Sequence, residues 1–89
     1  MNDKLRDIIV TMFKHGYVGA RHIPEERLVV SRIKFLRKNL QKEFYKEYHT
    51  LLQKNYFIRL KKRTGKGSDW HVSINPEMVE ELHEFMEGE

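Results

Sequence analysis

The stretch FIRLKKRTGKGSDWHVSINP, residues 57–76, determines how the rest of the chain is interpreted. Apolar residues alternate with cations in FIRLKKR (57–63) and with polar residues in WHVSI (70–74). Alternation with a period of two is typical of β-strands, and the intervening Thr-Gly-Lys-Gly-Ser contains glycines that suit a tight turn. The stretch therefore predicts a β-hairpin. Asn75 and Pro76 then predict a new helix, as N-cap and first helical residue.

The tip of this hairpin, RTGKGSD (63–69), contains the residue types of a phosphate-binding loop but not their order. Such a loop places Lys and Ser/Thr directly after the second glycine and continues into a helix. Here Lys66 lies between the glycines, and a strand pattern follows. We therefore interpret the tip as a charged turn. The arm and tip together carry five cations: Arg59, Lys61, Lys62, Arg63 and Lys66.

The helix before the hairpin has two distinct faces. Its apolar stripe consists of Leu40, Phe44, Tyr48, Leu51 and Leu52. Asn55 would interrupt that stripe, so we expect it to close the helix in a left-handed conformation. Asn39 is the expected N-cap. The opposite face, with few acids in its middle, predicts a surface for an anion, and it comprises Lys38, Asn39, Lys42, Tyr45, Lys46 and His49.

The remaining segments predict two more helices and a short extended piece. Residues 3–14 have an apolar stripe at helical spacing, and Gly16 stops it. YVGARHI (17–23) offers a short strand, and Pro24 suits the first position of a second helix. The pattern leaves open whether 24–54 is two helices or one bent helix. The order helix, strand, helix, helix, hairpin, helix predicts an α+β, mostly helical fold of the winged helix-turn-helix type.

Charge is distributed unevenly along a chain whose net charge is +4. Residues 24–75 carry thirteen basic and five acidic side chains, whereas residues 76–89 carry six glutamates and no basic side chain. A basic centre with an acidic end favours a polyanionic partner that contacts part of the surface. We expect one domain over 1–89, in which 76–89 forms an acidic amphipathic helix.

Several functional classes are not supported by the sequence. Eighty-nine residues leave little room for a substrate pocket, and no nucleophile or acid–base motif is present, so we expect no enzyme. The chain has no cysteine, and its five histidines lack metal-ligand spacing, so we expect no metal and no cofactor. The sequence suggests no small-molecule ligand. No apolar run approaches the roughly 20 residues that cross a bilayer, so we expect a cytoplasmic protein and no membrane partner.

Two motifs resemble a known group of proteins over roughly residues 20–80. HIPEERL (22–28) and KKRTGKGSDWHVSINPE (61–77) are similar to small archaeal winged-helix proteins. Those proteins have an Ile-Pro entry to the second helix, a basic wing with Thr and Gly near its tip, and a closing Val-Ser-x-Asn-Pro. The resemblance implies a DNA-binding, regulator-like module and supplies no target sequence.

These observations predict a transcriptional regulator that binds double-stranded DNA and is associated with the nucleoid. The third helix would enter the major groove, and the five cations of the hairpin would contact the backbone or the neighbouring minor groove. Trp70 is expected to anchor the core, with base stacking as the alternative. A winged-helix module for protein interaction is the main alternative function. Binding of structured RNA is a weaker one.

We also expect a homodimer, because the first and last helices each carry an apolar stripe on a small domain. One core can absorb only part of this apolar area, and surplus apolar surface is a usual source of a dimer interface. The residues expected in that interface are Leu5, Ile8, Ile9, Met12, Val79, Leu82, Phe85 and Met86.

Overall fold

The computed structural model describes residues 1–65 and 67–88, and of residues 64, 67 and 68 it describes only the backbone. Its elements are α1 (Asp3–His15), β1 (Ile23–Pro24), α2 (Glu26–Val30, continued as Ser31–Ile33), α3 (Lys38–Gln53), β2 (Phe57–Thr64), β3 (Gly67–Ile74) and α4 (Val79–Glu87). The first five residues of α2 are π-helical, and a 3-10 turn, Pro76–Met78, leads into α4. The architecture is α+β, as predicted. None of the described helices is long and apolar enough to cross a membrane.

Several helix ends are set by asparagine and glycine residues that the sequence places there. The Asn2 side chain accepts hydrogen bonds from the backbone N–H groups of Lys4 and Leu5 at the start of α1, and Gly16 closes that helix with φ 70°. Asn55 follows α3 with φ 65°, which confirms its predicted left-handed conformation. Asn75 caps the turn before α4 by accepting a hydrogen bond from the N–H of Glu77. Local sequence therefore determines where these segments stop and start.

The segment 24–54 forms two helices, which settles the question that its pattern left open. Residues 34–37 make the turn between α2 and α3. Two boundary predictions are wrong. Pro24 lies in β1 instead of opening α2, and α3 begins at Lys38, so Asn39 lies within its first turn and Arg37 is the N-cap. Proline is tolerated in β1 because this two-residue strand lies at the edge of the sheet.

The three strands form one antiparallel sheet in the order β1-β3-β2. In β2 and β3, Phe57 is paired with Ile74 and Arg59 with Val72, and directly paired residues share a face. Phe57, Val72 and Ile74 are buried, so this face points toward the helices.

The alternation in β2 suggests that its apolar residues face the helices and its cations face outward, but the structure places them the other way round after Phe57. The inward face carries Arg59 and Lys61, while Ile58 lies on the outward face and is 37% exposed. Phe57 fixes this register because its ring packs against Tyr48, with the ring centroids 5.7 Å apart. A one-residue slip would move every side chain of β2 to the other face.

The core contains the apolar stripes of both terminal helices. Leu5, Ile8, Ile9, Met12, Leu82 and Met86 are all buried within a single chain, and Val79 and Phe85 are half-buried against them. One core therefore buries most of the apolar surface of α1 and α4 that the sequence predicts to be surplus. Six of the eight residues predicted for a dimer interface are thus covered by their own chain, and Val79 and Phe85 remain partly exposed.

Candidate nucleic-acid interface

The outward side of α3 presents five polar side chains, which we call the cationic face. Its members, Lys38, Asn39, Lys42, Lys46 and His49, are all exposed. The face is held outward because the opposite side of α3 is anchored in the core by Phe44, Tyr48 and Leu51. Its three lysines follow one another at intervals of four residues, which places them along one side of the helix. The sequence predicted all five positions.

Tyr45 lies at the margin of the cationic face. It is half-buried and meets Phe44 edge to face, with ring centroids 5.4 Å apart. Burial, and secondarily the charge of Glu25, raise the pKa of Tyr45. The phenol therefore keeps its proton and can donate a hydrogen bond. An open groove of about 480 Å³ runs beside it, lined by Lys38, Gln41, Lys42, Tyr45 and Lys46.

Two glutamates on α3 lie near these cations and differ in what they contact. Glu47 is half-buried, and both of its carboxylate oxygens lie 3.2 Å from the backbone nitrogen of Asn2, which donates to them. Its charge is thus turned toward the start of α1. Glu43 is exposed and lies close to Asn39 on the helix surface. One acid therefore remains beside the three lysines of the cationic face.

The hairpin adds a second group of cations. Lys61, Lys62 and Arg63 are exposed on β2. Lys62 lies on the outward face of the sheet, opposite Asp69, whereas Lys61 is opposite Trp70. Lys66, the fifth predicted hairpin cation, lies outside the described residues.

Arg59 differs from the other hairpin cations because its guanidinium is engaged within the protein. Its Nε lies 3.0 Å from both carboxylate oxygens of Glu25, and its Nη2 lies 2.9 Å from Oε1. The guanidinium also stacks 4.1 Å from the centroid of the Trp70 ring. Its charge is therefore paired with Glu25 and its planar group is stacked on Trp70, so Arg59 is less free to bind a ligand than Lys61, Lys62 and Arg63.

Glu25 links three elements of the fold and was not identified as important from the sequence. Besides pairing with Arg59 of β2, it accepts a hydrogen bond of 2.5 Å from the hydroxyl of Tyr48 in α3. Its side chain, which immediately precedes α2, is only 12% exposed. Burial and then the Glu25 hydrogen bond raise the pKa of Tyr48 far above its ordinary value. We call Glu25, Tyr48 and Arg59 the Glu25 cluster.

Trp70 is not the core anchor that its place in the hairpin predicted. Its indole is 42% exposed, and two cations lie over its ring, the guanidinium of Arg59 at 4.1 Å and the ammonium of Lys61 at 5.6 Å from the centroid. Val72 and Ile74 fill the core from β3 instead. Trp70 is nearer the tip of the hairpin, where it pairs with Lys61 and not with an apolar residue.

Two histidines that are 49 residues apart in sequence meet on the outward face of the sheet. The Nδ1 atoms of His22 and His71 lie 2.8 Å apart, with the rings nearly perpendicular at 85°. One ring must donate and the other accept, so the contact is incompatible with two charged imidazoles. Burial first, and then the charges of His22 and Lys62, lower the pKa of His71, while Asp69 opposes them.

Among the described residues, no group of three or more His, Asp or Glu side chains could hold a metal ion.

We expect the His22–His71 contact to make stability depend on pH. The ordinary pKa of histidine is 6.5, and that of His71 in the fold is lower. The unfolded chain therefore binds a proton that the folded chain does not, and the free energy of unfolding falls as pH decreases below about 6.5. Urea unfolding at about pH 7.5 and about pH 5 should show that acidification lowers the free energy of unfolding less in His71→Gln than in the wild type. The exposed residue His15 provides a control: His15→Gln should lose as much stability as the wild type. If acidification lowers the free energy of unfolding equally in all three proteins, the pH dependence belongs to another group.

Comparison with known proteins finds no matching family model, no similar curated protein and no similar solved structure.

Proposed function

We propose that this chain is a winged helix-turn-helix protein that binds double-stranded DNA and regulates transcription. The observation that carries the proposal is the exposed row of lysines on α3, which lies on a helix whose other side is fixed in the core. Exposed like charges at close spacing repel one another, so their placement on one rigid face favours a polyanionic partner.

The arrangement of the elements supports this proposal. Two helices joined by a short turn precede a hairpin, and β1 adds a strand to the hairpin on the β3 side. In a winged helix-turn-helix the second helix of such a pair enters the major groove, which is about 12 Å wide and admits one helix. The cationic face of α3 would then contact the groove, and β2 and β3 would form the wing.

The residue types on the two surfaces suggest different tasks. Lys62 and Arg63 on the wing would act as charges on the phosphate backbone, which fixes register without reading sequence. On α3, Asn39 has the amide that can pair with both polar atoms of an adenine edge. Lysines otherwise dominate the cationic face, so backbone contacts should contribute more to affinity than base contacts.

Salt dependence tests the proposal. Among the described residues of α3 and β2, about six exposed cations are available, namely Lys38, Lys42, Lys46, Lys61, Lys62 and Arg63. At about 0.9 counterions per neutralised phosphate, the affinity for a labelled DNA duplex should fall roughly 10³-fold between about 50 and 200 mM salt. Fluorescence anisotropy with a DNA duplex and an RNA duplex of equal length measures this and separates the two nucleic acids. A flat salt response, or no duplex binding at low salt, would contradict DNA binding and favour a role in protein interaction.

A further inference from the structure

Phe35 is the most exposed large apolar side chain in the described part of the protein. It is 85% exposed, whereas the next, Val10, is 49% exposed. Burying a phenylalanine side chain removes a large apolar area from water and stabilises a fold. The chain therefore forgoes this stabilisation at Phe35, in the turn between α2 and α3.

The backbone that carries Phe35 is held in place on both sides. The N–H of Lys34 donates to the carbonyl oxygen of Val30 at 3.0 Å, and the N–H of Leu36 donates to that of Ile33 at 3.0 Å. From α3, the Gln41 side-chain amide donates to the carbonyl oxygen of Leu36 at 2.8 Å. Leu36 itself packs against the core. The ring of Phe35 thus projects from a fixed turn.

The surroundings of Phe35 indicate the charge of its partner. Residues 27–42 include six basic side chains and no acidic one. The ammonium of Lys34 lies 5.1 Å from the centroid of the Phe35 ring, and Arg32, Arg37 and Lys38 are exposed nearby in sequence. An apolar protein surface would have to desolvate these cations, which is costly. A nucleic acid instead offers phosphates for the cations together with an apolar group for the ring.

We propose that Phe35 packs against the 5-methyl groups of thymine in the major groove, beside the start of α3, and so gives the protein a preference for A·T pairs there. The inference rests on the proposed function, because it needs α3 in that groove. The thymine methyl is the apolar group that base edges present in the major groove, and phenylalanine is among the residues that contact it. The phosphates on either side would meet Lys34, Arg37 and Lys38.

The experiment compares a T-containing duplex with the same duplex in which uracil replaces every thymine, which removes only the methyl groups. Wild type should bind the uracil duplex about fourfold more weakly for each methyl contacted, the equivalent of one buried carbon. Phe35→Ala should bind the T duplex more weakly by a similar factor and should not distinguish the two duplexes. Val10→Ala, an exposed apolar site on α1, should behave as the wild type does. Urea unfolding should show that neither variant loses stability.

Three results would overturn the assignment of Phe35. The first is equal binding of both duplexes by the wild type. The second is a Phe35→Ala variant that still prefers thymine. The third is a change in sedimentation of Phe35→Ala with unchanged duplex affinity, which would assign the ring to contact with a second copy of the chain. Absence of any duplex binding by the wild type would instead overturn the proposed function, and the inference about Phe35 with it.

Discussion

Replacing Lys42 and Lys46 together by alanine should weaken duplex binding roughly 50- to 100-fold at about 0.1 M salt. Each lysine that neutralises a phosphate releases about 0.9 counterion, which corresponds to nearly tenfold in affinity at that salt concentration. Both side chains are exposed on α3, and alanine is a strong helix former, so the fold should be unaffected. Anisotropy titrations at several salt concentrations should also show a slope of log affinity against log salt that is smaller by nearly two units.

A matched pair of lysines away from the cationic face serves as the control. Lys14 lies in the last turn of α1, and the ammonium of Lys54, at the end of α3, lies 5.6 Å from the ring of Phe85 in α4. The double variant Lys14→Ala/Lys54→Ala removes the same net charge. It should weaken binding far less than the Lys42/Lys46 variant. Equal losses in the two variants would show that binding follows total charge and that α3 has no special place in it.

Glu25→Ala should produce the second large effect, a loss of about 1–4 kcal/mol in the free energy of unfolding. The change leaves the hydroxyl of Tyr48, a residue only 3% exposed, without its acceptor. That loss accounts for roughly 1–3 kcal/mol. The Arg59 guanidinium is a third exposed, so the loss of its ion pair adds at most about 1 kcal/mol. Domains are typically stable by about 5–15 kcal/mol, so the change is a large fraction of the total.

Urea unfolding followed by the fluorescence of the single tryptophan, Trp70, measures this effect. The indole stacks on the Arg59 guanidinium, so its native emission should also change when Glu25 no longer holds that group. Glu26→Ala is the matched control, because Glu26 is the adjacent acid and is exposed. It should change stability by less than about 0.5 kcal/mol. A Glu25→Ala variant as stable as Glu26→Ala would show that the Glu25 cluster does not contribute to stability.

Features set by neighbouring residues were predictable from the sequence. The spacing of apolar residues in α1 and α3, the alternation in 57–74 and the left-handed Asn55 each depend on a few adjacent positions. The cationic face followed for the same reason: once the buried side of α3 is known, the opposite side is determined.

Features set by distant residues were not predictable in this way. In the sequence, Arg59 cannot be distinguished from the other hairpin cations. Its ion pair with Glu25, 34 residues earlier, is visible only in the folded structure. The same holds for His22 and His71, whose contact depends on the pairing of β1 with β3. The burial of most residues predicted for a dimer interface is another such feature, because the apolar area that a core absorbs depends on how the helices pack. No single stripe contains that information.

The Glu25 cluster also has an entropic consequence for a ligand that contacts both α3 and the hairpin. Tyr48 belongs to α3 and Arg59 to β2, and Glu25 holds the two side chains through one carboxylate. The relative orientation of helix and hairpin is thus fixed before a partner arrives, so less conformational freedom is lost on association. A preorganised pair of surfaces favours partners whose shape already matches, and it adapts poorly to those that would require the hairpin to swing.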